Sequence, residues 1–207
     1  MVIFGRTGVG ISSLVNLISG YSTSNDYKHP GTTPLKISPR VVSFPNSNKQ
    51  FWLYNVPGFG GRIQDKTIIE MIRQTERDKG IDLLIYCFRR QRATVLPDIV
   101  RRIRDSVPQR VPMIAVVTEL ERFEPEMDEW WDVVLDIDGS TNGTVVERMC
   151  FGEDLRGGKF NAHACITTLP LDKADLTKKL RKRRDLSEDK IRRLILEHCS
   201  GPKRGKW

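Results

Sequence analysis

The feature that most constrains this chain is a glycine-rich turn near its first residue. Val2–Phe4 is a short apolar run that predicts a β-strand, and apolar residues recur at helical spacing from Ser12 to Ile18. Between them, Gly5–Ser12 fits the pattern G-x-x-x-x-G-x-[ST]. In this context the glycines let backbone N–H groups turn toward an anion, and the start of the helix adds its positive end. This segment is therefore predicted to fold as a strand, a phosphate-binding loop and a helix.

Most of the predicted anion contacts in this loop come from the backbone. Ile11 stands where the motif ordinarily has a lysine that reaches the β- and γ-phosphates, so we expect weaker affinity and weaker charge stabilisation. Arg6 is a candidate to return a cation, and a solvated loop arginine is the alternative. A tight glycine turn without a ligand is the alternative for the whole loop. The candidate nucleotide-binding residues here are Gly5, Arg6, Thr7, Gly8, Val9, Gly10, Ile11, Ser12 and Ser13.

The remaining chain alternates predicted strands with predicted helices. The strands are Ile37–Phe44, Phe51–Val56, Asp82–Phe88, Pro112–Val117 and Phe160–Ile166, and the helices are Thr67–Lys79, Val95–Val107, Pro125–Leu135 and Leu176–Cys199. The first two strands flank Pro45–Asn48 and are expected to pair antiparallel, whereas Tyr21–Pro34 is expected to be a long loop. The pattern predicts an α/β fold. We expect a mostly parallel sheet with helices on both faces, one antiparallel hairpin strand, and ligands at the carboxyl ends of the strands.

Length and charge limit the domain organisation and the class of partner. The 207 residues suit one core, so residues 1–200 are expected to form a single domain with a short basic tail at 201–207. The glycine-bearing stretch at about 136–158 is expected to be irregular and to form an insertion. The net charge is +8, but residues 172–207 hold 13 of the 34 basic and only 6 of the 26 acidic residues. Because the rest is nearly neutral, a dedicated nucleic-acid binder is not expected.

The basic stretch 178–184 has two interpretations. It is either a nuclear-import or anionic-lipid signal, or the solvated face of a terminal helix. The apolar runs are too short to span a membrane, so we expect a soluble, cytoplasmic protein. Four scattered cysteines without a C-x-x-C pair favour reduced thiols over zinc or disulfides.

A second motif, Asn55-Val56-Pro57-Gly58-Phe59, follows a predicted strand. With it the chain resembles the P-loop GTPases, specifically the septin and immunity-associated (GIMAP-type) branch, whose third motif reads Asp-x-Pro-Gly-Phe. It looks closest to uncharacterised G-domain proteins of fungi. The resemblance runs from Val2 to about Cys199 with the motifs in the family's order, and it implies a Ras-like P-loop NTPase fold that binds GTP or GDP with Mg²⁺.

The resemblance also implies a metal site and a γ-phosphate contact. Ser12, Thr33 (or its neighbour Thr32) and Asn55 are the implied metal ligands, but Asn55 replaces an aspartate, and a neutral amide binds Mg²⁺ poorly. Gly58 would offer its N–H to the γ-phosphate. Phe59 stands where some relatives carry a water-positioning glutamine, so no hydrolytic base is visible.

The base-recognition motif of the family, [NT]-K-x-D, corresponds to Thr118–Glu121. Glu121 keeps two acceptor oxygens on a longer arm, whereas Glu119 reverses the charge of the lysine that packs along the base. An acidic surface loop is the alternative. Thr168 lies in the stretch Thr167–Leu169, which resembles the turn whose backbone reaches guanine O6.

Together these residues predict a guanine-nucleotide-binding protein with weakened Mg²⁺ binding and slow or absent hydrolysis, at most a weak GTPase. The alternative is a nucleotide-free pseudo-GTPase that acts as a protein-interaction module. Besides the nucleotide, the expected partners are an unknown protein and a second copy of the chain. The second copy would form a homodimer across the nucleotide face and supply its Arg6 to the site.

Overall fold

A six-stranded sheet organises the computed structural model, which describes residues 1–20, 39–44, 47–135, 138–170 and 176–199. The strands are β1 Val2–Gly5, β2 Pro39–Ser43, β3 Gln50–Asn55, β4 Leu84–Arg89, β5 Met113–Thr118 and β6 Ala162–Cys165. The helices are α1 Ile11–Ser19, α2 Asp65–Lys79, α3 Pro97–Arg104, α4 Asn142–Phe151 and α5 Lys178–His198. The predicted loop at Tyr21–Pro34, the candidate ligand Thr33 and the tail 201–207 lie outside the described residues.

The strand order is β2-β3-β1-β4-β5-β6. Among the described strands, β2 and β3 pair antiparallel, and every other neighbouring pair is parallel. The predicted Ras-like α/β class, including its one antiparallel strand, is therefore confirmed. Because β1, β4 and β5 run parallel, their carboxyl ends reach the same edge of the sheet, where ligands bind in folds of this kind.

Alternation along the strands divides the core into two apolar layers. In β4, Tyr86 and Phe88 pack on one face with α2 and α3, whereas Ile85 and Cys87 pack on the other face with α1 and α5. Successive side chains of a strand point to opposite faces, so helices on both sides are needed to cover them. This double burial explains why β4 and β5 read as continuous apolar runs in the sequence.

The prediction that the stretch at about 136–158 is irregular is wrong in part, because this stretch contains α4. The side chain of Thr141 caps this helix by accepting a hydrogen bond from the Thr144 N–H at 3.1 Å. Gly143 is buried, and a Cβ there would lie 2.0 Å from Trp131 Nε1. The glycine therefore marks a close contact between α4 and the preceding segment rather than a break in structure.

The predicted helix Pro125–Leu135 is also wrong, since only Met127–Asp132 is helical and it is a 3₁₀ helix. The side-chain amide of Asn142 donates a hydrogen bond to the Trp130 carbonyl at 2.9 Å. An α-helix would pair that carbonyl with a backbone N–H four residues later. Trp130 and Trp131 are buried.

The C-terminal helix lies where it was predicted, but its basic stretch is not a solvated face throughout. Arg183 and Arg184 are buried, and Arg184 forms an ion pair with Glu188 on the same helix. The four cysteines are free and buried. Among the helices of the described part of the chain, none is both long and apolar enough to cross a membrane.

Candidate nucleotide site

The glycine-rich loop follows β1 and leads directly into α1, as predicted. Gly8 and Gly10 have φ values of 87° and 94°, in the left-handed region that favours glycine. A Cβ on Gly5 would lie 2.1 Å from the Cys87 carbonyl oxygen, so the contact between β1 and β4 also requires glycine. Helix α1 starts at Ile11, and the first N–H groups of a helix have no partner within it. The loop and the helix start therefore present backbone donors to one region.

The segment after β3 packs directly on this loop. The Thr7 N–H donates to the Phe59 carbonyl at 2.8 Å, and the Phe59 N–H donates to the Gly5 carbonyl at 2.9 Å. A Cβ on Gly58 would lie 2.7 Å from Thr7 Cα. The Phe59 ring is fully buried, edge-on to Phe4 with ring centroids 6.5 Å apart. The side chain at this position therefore points into the core rather than toward a water molecule.

The position of the missing lysine faces the core as well. The Ile11 side chain is 9% exposed and packs in the apolar layer between the sheet and α1. Ser12 and Ser13 are exposed on the first turn of α1. The first turn thus offers backbone N–H groups and hydroxyls to a ligand, but no cation of its own.

The implied metal ligands fit Mg²⁺ only in part. Ser12 is exposed at the start of α1, and Asn55 ends β3 beside Ile3, the strand residue that precedes the loop by two positions. Within the described residues, no group of three or more His, Cys, Asp or Glu side chains is placed to hold a metal ion. Mg²⁺ prefers carboxylates and phosphates. A hydroxyl and an amide suit a metal held mainly by the phosphates of a bound nucleotide.

Thr118 ties the base-recognition motif to the phosphate loop. Its hydroxyl donates to the Val9 carbonyl at 2.8 Å, and the Phe88 carbonyl lies 3.3 Å away. The residue is 1% exposed. Thr168 approaches the same loop, because a Cβ on Gly10 would lie 3.6 Å from the Thr168 hydroxyl. The ends of β1 and β5 and the segment after β6 therefore meet around Val9 and Gly10.

Glu121 and Thr167 bring the last two motifs together. The Thr167 hydroxyl donates to the Glu121 carboxylate at 3.3 Å, and the Thr167 N–H donates to the Ser187 hydroxyl at 3.0 Å. Arg183 is 2% exposed and donates to the carbonyls of Glu121, Phe123 and Pro125 at 3.0, 2.7 and 2.7 Å. Helix α5 therefore supports both segments of the predicted base pocket. This role does not follow from the sequence, because a basic run is ordinarily solvent-exposed.

One arginine belongs to the phosphate loop and another lies beside it. The guanidinium of Arg6 donates to the Ala93 carbonyl at 3.1 Å, so it is directed toward the segment after β4. Arg89 was not predicted as a site residue. Its Nε lies 3.1 Å from the Gly8 carbonyl oxygen and 3.0 Å from a carboxylate oxygen of Glu119. The sequence indicated this contact only through charge, because Arg89 ends β4 and the acidic Glu119 directly follows β5, the neighbouring strand.

Comparison with protein families agrees with this geometry. The 50S ribosome-binding GTPase family matches residues 1–119, more than half of the chain and every strand from β1 to β5. The chain belongs to this GTPase family. It is a P-loop GTPase domain (G domain), and the matched residues include the phosphate loop, the segment after β3 and the first half of the base-recognition motif.

The G domain is also similar to individual proteins. It is 24% identical over 132 residues to the probable GTP-binding protein EngB of Aquifex aeolicus, across 64% of this chain and 58% of that protein. The structure of a point variant of Aquifex aeolicus Era bound to GDP.AlF4⁻ matches 99% of this chain and 57% of its own, with 17% identity and a TM-score of 0.57.

A GTP-binding protein of Sulfolobus solfataricus, solved in complex with GDP, matches 95% of this chain and 52% of its own, with 17% identity and a TM-score of 0.53. These structural matches show the fold. The chain spans little more than half the length of each of these three relatives.

Proposed function

We propose that this G domain binds GDP and GTP at the carboxyl edge of β1, β4 and β5. The observation that carries the proposal is the meeting of three segments at one loop: the Thr118 hydroxyl bonds to Val9, and the Thr168 hydroxyl approaches Gly10. A glycine turn that merely joins a strand to a helix needs neither contact. A loop that holds phosphates while a base lies against the neighbouring strand ends needs both.

The candidate residues of the phosphate loop and of the base-recognition motif have different proposed roles. Backbone N–H groups of the loop and of the first turn of α1 surround the phosphates, with Gly8, Gly10, Ile11 and Ser12 closest, because the loop and the positive end of α1 face the same region. Glu121, with Thr118 and Thr168 beside it, faces the base. Its carboxylate has two oxygens, and accepting from Thr167 leaves lone pairs free for the N–H groups of guanine.

Hydrolysis by the isolated protein is proposed to be slow or absent. Mg²⁺, when bound, neutralises charge on the β- and γ-phosphates. The protein groups that ordinarily assist are replaced here, since Ile11 and Phe59 are packed in the core and Asn55 offers an amide instead of a carboxylate. Each 1.36 kcal/mol of lost transition-state stabilisation slows a reaction about tenfold. The protein would then signal by nucleotide occupancy rather than by turnover.

A second candidate function is that of a nucleotide-free pseudo-GTPase that binds protein partners. It is favoured by the apolar packing of Ile11 and by the Thr7 N–H, which bonds to Phe59 instead of remaining open to an anion. The two candidates differ in one measurable property, the nucleotide bound to the purified protein.

We propose that residues 1–200 form a single G domain of the septin and immunity-associated type, and that the protein acts in the cytoplasm with a protein partner still to be identified. The exposed lysines of α5 offer a route to a nuclear or membrane surface. A homodimer across the nucleotide face would have to redirect Arg6 from the Ala93 carbonyl toward the other copy.

Nucleotide analysis of the purified protein tests the proposal, followed by calorimetric titration with GDP, GTP and ADP. Gly10→Val is expected to abolish binding, because a branched side chain at a φ of 94° distorts the loop beside Thr168. Gly80→Val is the matched control, since Gly80 also has a positive φ of 74° but follows α2, with nothing within 4 Å of its Cβ position. If both variants bind GDP equally well, the nucleotide does not bind at the loop that contains Gly10; if neither they nor the unchanged chain bind GDP, the chain does not bind GDP.

A steady-state GTPase assay tests the statement about hydrolysis. We expect no sustained turnover by the protein alone. Several turnovers per minute that disappear in Ser12→Ala would show that the residues at positions 11, 55 and 59 do not impair hydrolysis.

A further inference from the structure

Strands β4 and β5 end in residues of opposite charge beside the phosphate loop. Arg89 is the last residue of β4 and lies opposite Thr118 in the parallel pair, so the next residue, Glu119, leaves the sheet at the same level. Glu119 has a φ of 64°, a conformation that residues other than glycine rarely adopt. A functional or structural constraint therefore holds Glu119 in place.

The Arg89 guanidinium joins two segments of the site. Its Nε lies 3.1 Å from the Gly8 carbonyl oxygen and 3.0 Å from the Glu119 carboxylate, and a second nitrogen also donates to the Gly8 carbonyl. The backbone of Arg89 is itself fixed, because its N–H donates to the Thr94 hydroxyl at 3.0 Å. One planar cation thus bridges the phosphate loop and the base-recognition motif.

The contact with Gly8 bears on the direction of the loop's donors. In a planar trans peptide the carbonyl and the following N–H point in opposite directions. When Arg89 holds the Gly8 carbonyl on its own side, the Val9 N–H must point away from Arg89 and into the turn, where it lies 3.2 Å from the Arg6 carbonyl. Gly8 has a φ of 87°, a conformation that glycine adopts readily, and its peptide is held on both sides, by Arg89 at the carbonyl and by the Arg6 carbonyl at the Val9 N–H.

The charges at the ends of β4 and β5 are complementary. The position after Thr118 carries a glutamate in this chain, so it cannot place a cation near the loop. Arg89 returns a cation from the adjacent strand, and Glu119 pairs with it. The cation beside the loop is therefore supplied by the end of β4 and not by the residue that follows β5.

We infer that Arg89 is a positioning residue of the nucleotide site, which together with Glu119 holds the phosphate loop and the base-recognition loop in one arrangement. This inference rests on the proposed nucleotide binding. Arg89 acts through the Gly8 carbonyl and Glu119, and it need not touch the nucleotide itself.

The test compares the affinity for GDP of four proteins: the unchanged chain, Arg89→Ala, Glu119→Lys and the double variant. Arg89→Ala is expected to weaken GDP binding roughly tenfold, because it removes charge-assisted bonds to the loop. Glu119→Lys alone is expected to weaken binding too, since it puts a second cation beside Arg89. The double variant is expected to recover most of the affinity, because a lysine at 119 then supplies the missing cation.

Arg90→Ala is the control, since Arg90 is the exposed neighbour of Arg89. Thermal unfolding of each variant without nucleotide separates a general loss of stability from a loss at the site. The inference is overturned if Arg89→Ala binds GDP as well as Arg90→Ala does, because the Arg89–Glu119 pair would then be a solvent-exposed ion pair with no effect on the nucleotide site. It is also overturned if the effects of the two substitutions simply add. If the unchanged chain binds no guanine nucleotide, the proposed function fails and the inference fails with it.

Discussion

Replacing Thr118 by valine removes one hydroxyl and leaves the side-chain volume nearly unchanged. That hydroxyl donates to the Val9 carbonyl at 2.8 Å, and both residues are buried. After the change, the remaining side-chain contact of this carbonyl is the Cys87 thiol, whose sulfur is 3.7 Å away. Burial raises the pKa of Cys87 to about 12, so the thiol keeps its proton, but it is a weak donor.

A buried carbonyl that loses its partner costs about 1–3 kcal/mol of folding free energy. For a domain of this size, each kcal/mol corresponds to about 2–4 °C in Tm. We therefore expect Thr118→Val to lower the free energy of unfolding by about 1–3 kcal/mol in urea titrations. Thr118→Ser keeps the hydroxyl and is expected to lose less.

Thr75 supplies a matched control within α2. Its hydroxyl is also buried and donates to the Met71 carbonyl at 2.8 Å, but that carbonyl is the α-helical partner of the Thr75 N–H as well. Thr75→Val should therefore cost less than Thr118→Val and leave GDP binding unchanged. If Thr118→Val is as stable as Thr118→Ser and binds GDP equally well, the strand end does not support the phosphate loop in the way described.

Further predictions concern separate parts of the domain. Ile11→Lys is expected to tighten GTP binding, because it adds a cation near the phosphates, and to lower the free energy of unfolding, because the lysine side chain starts in an apolar layer. Asn55→Asp should make GTP binding more dependent on Mg²⁺. Calorimetric titration with GTP measures both effects on binding. Arg183→Met should lower stability by about 2–4 kcal/mol in urea and weaken GDP more than tripolyphosphate, since three carbonyls of the base loop lose their donor. His163 is stacked on Trp131, and burial, followed by the charge of Lys190, lowers its pKa. Because the unfolded chain then binds the proton more readily, stability should fall as the pH drops below about 6.5, and His163→Phe should remove that part of the pH dependence.

The parts of the fold that local pattern determines could be predicted. Buried strands such as β4 and β5 are continuous apolar runs, and the glycine loop has a fixed spacing. Helix α4 was missed because its glycine suggests a loop, and only the contact between Gly143 and the Trp131 ring explains why glycine is needed there. The 3₁₀ segment was missed for a similar reason, since its geometry depends on Asn142, a residue of the next helix.

The site shows the same division between local and long-range information. The loop residues and Thr118 follow from motifs, and the structure places them at one sheet edge. Arg89 and Arg183 do not follow from motifs. Their roles depend on which strands are neighbours and on where α5 packs. Arg89 is 81 positions from Gly8 in the chain, and Arg183 is 58 positions from Pro125, so local sequence patterns do not reveal these contacts.

The clamp formed by Arg183 has a consequence for biosynthesis. The carbonyls that it holds belong to residues 121–125, and the arginine is separated from them by 58 to 62 positions. At ordinary translation rates that stretch of chain takes roughly 3–12 s to emerge. During this interval the five strands that precede β6 are available to pair, while the loop expected to recognise the base still lacks its anchor. A nascent chain would therefore form the phosphate loop first, and the proposed base loop would gain its anchor only after α5 has left the ribosome.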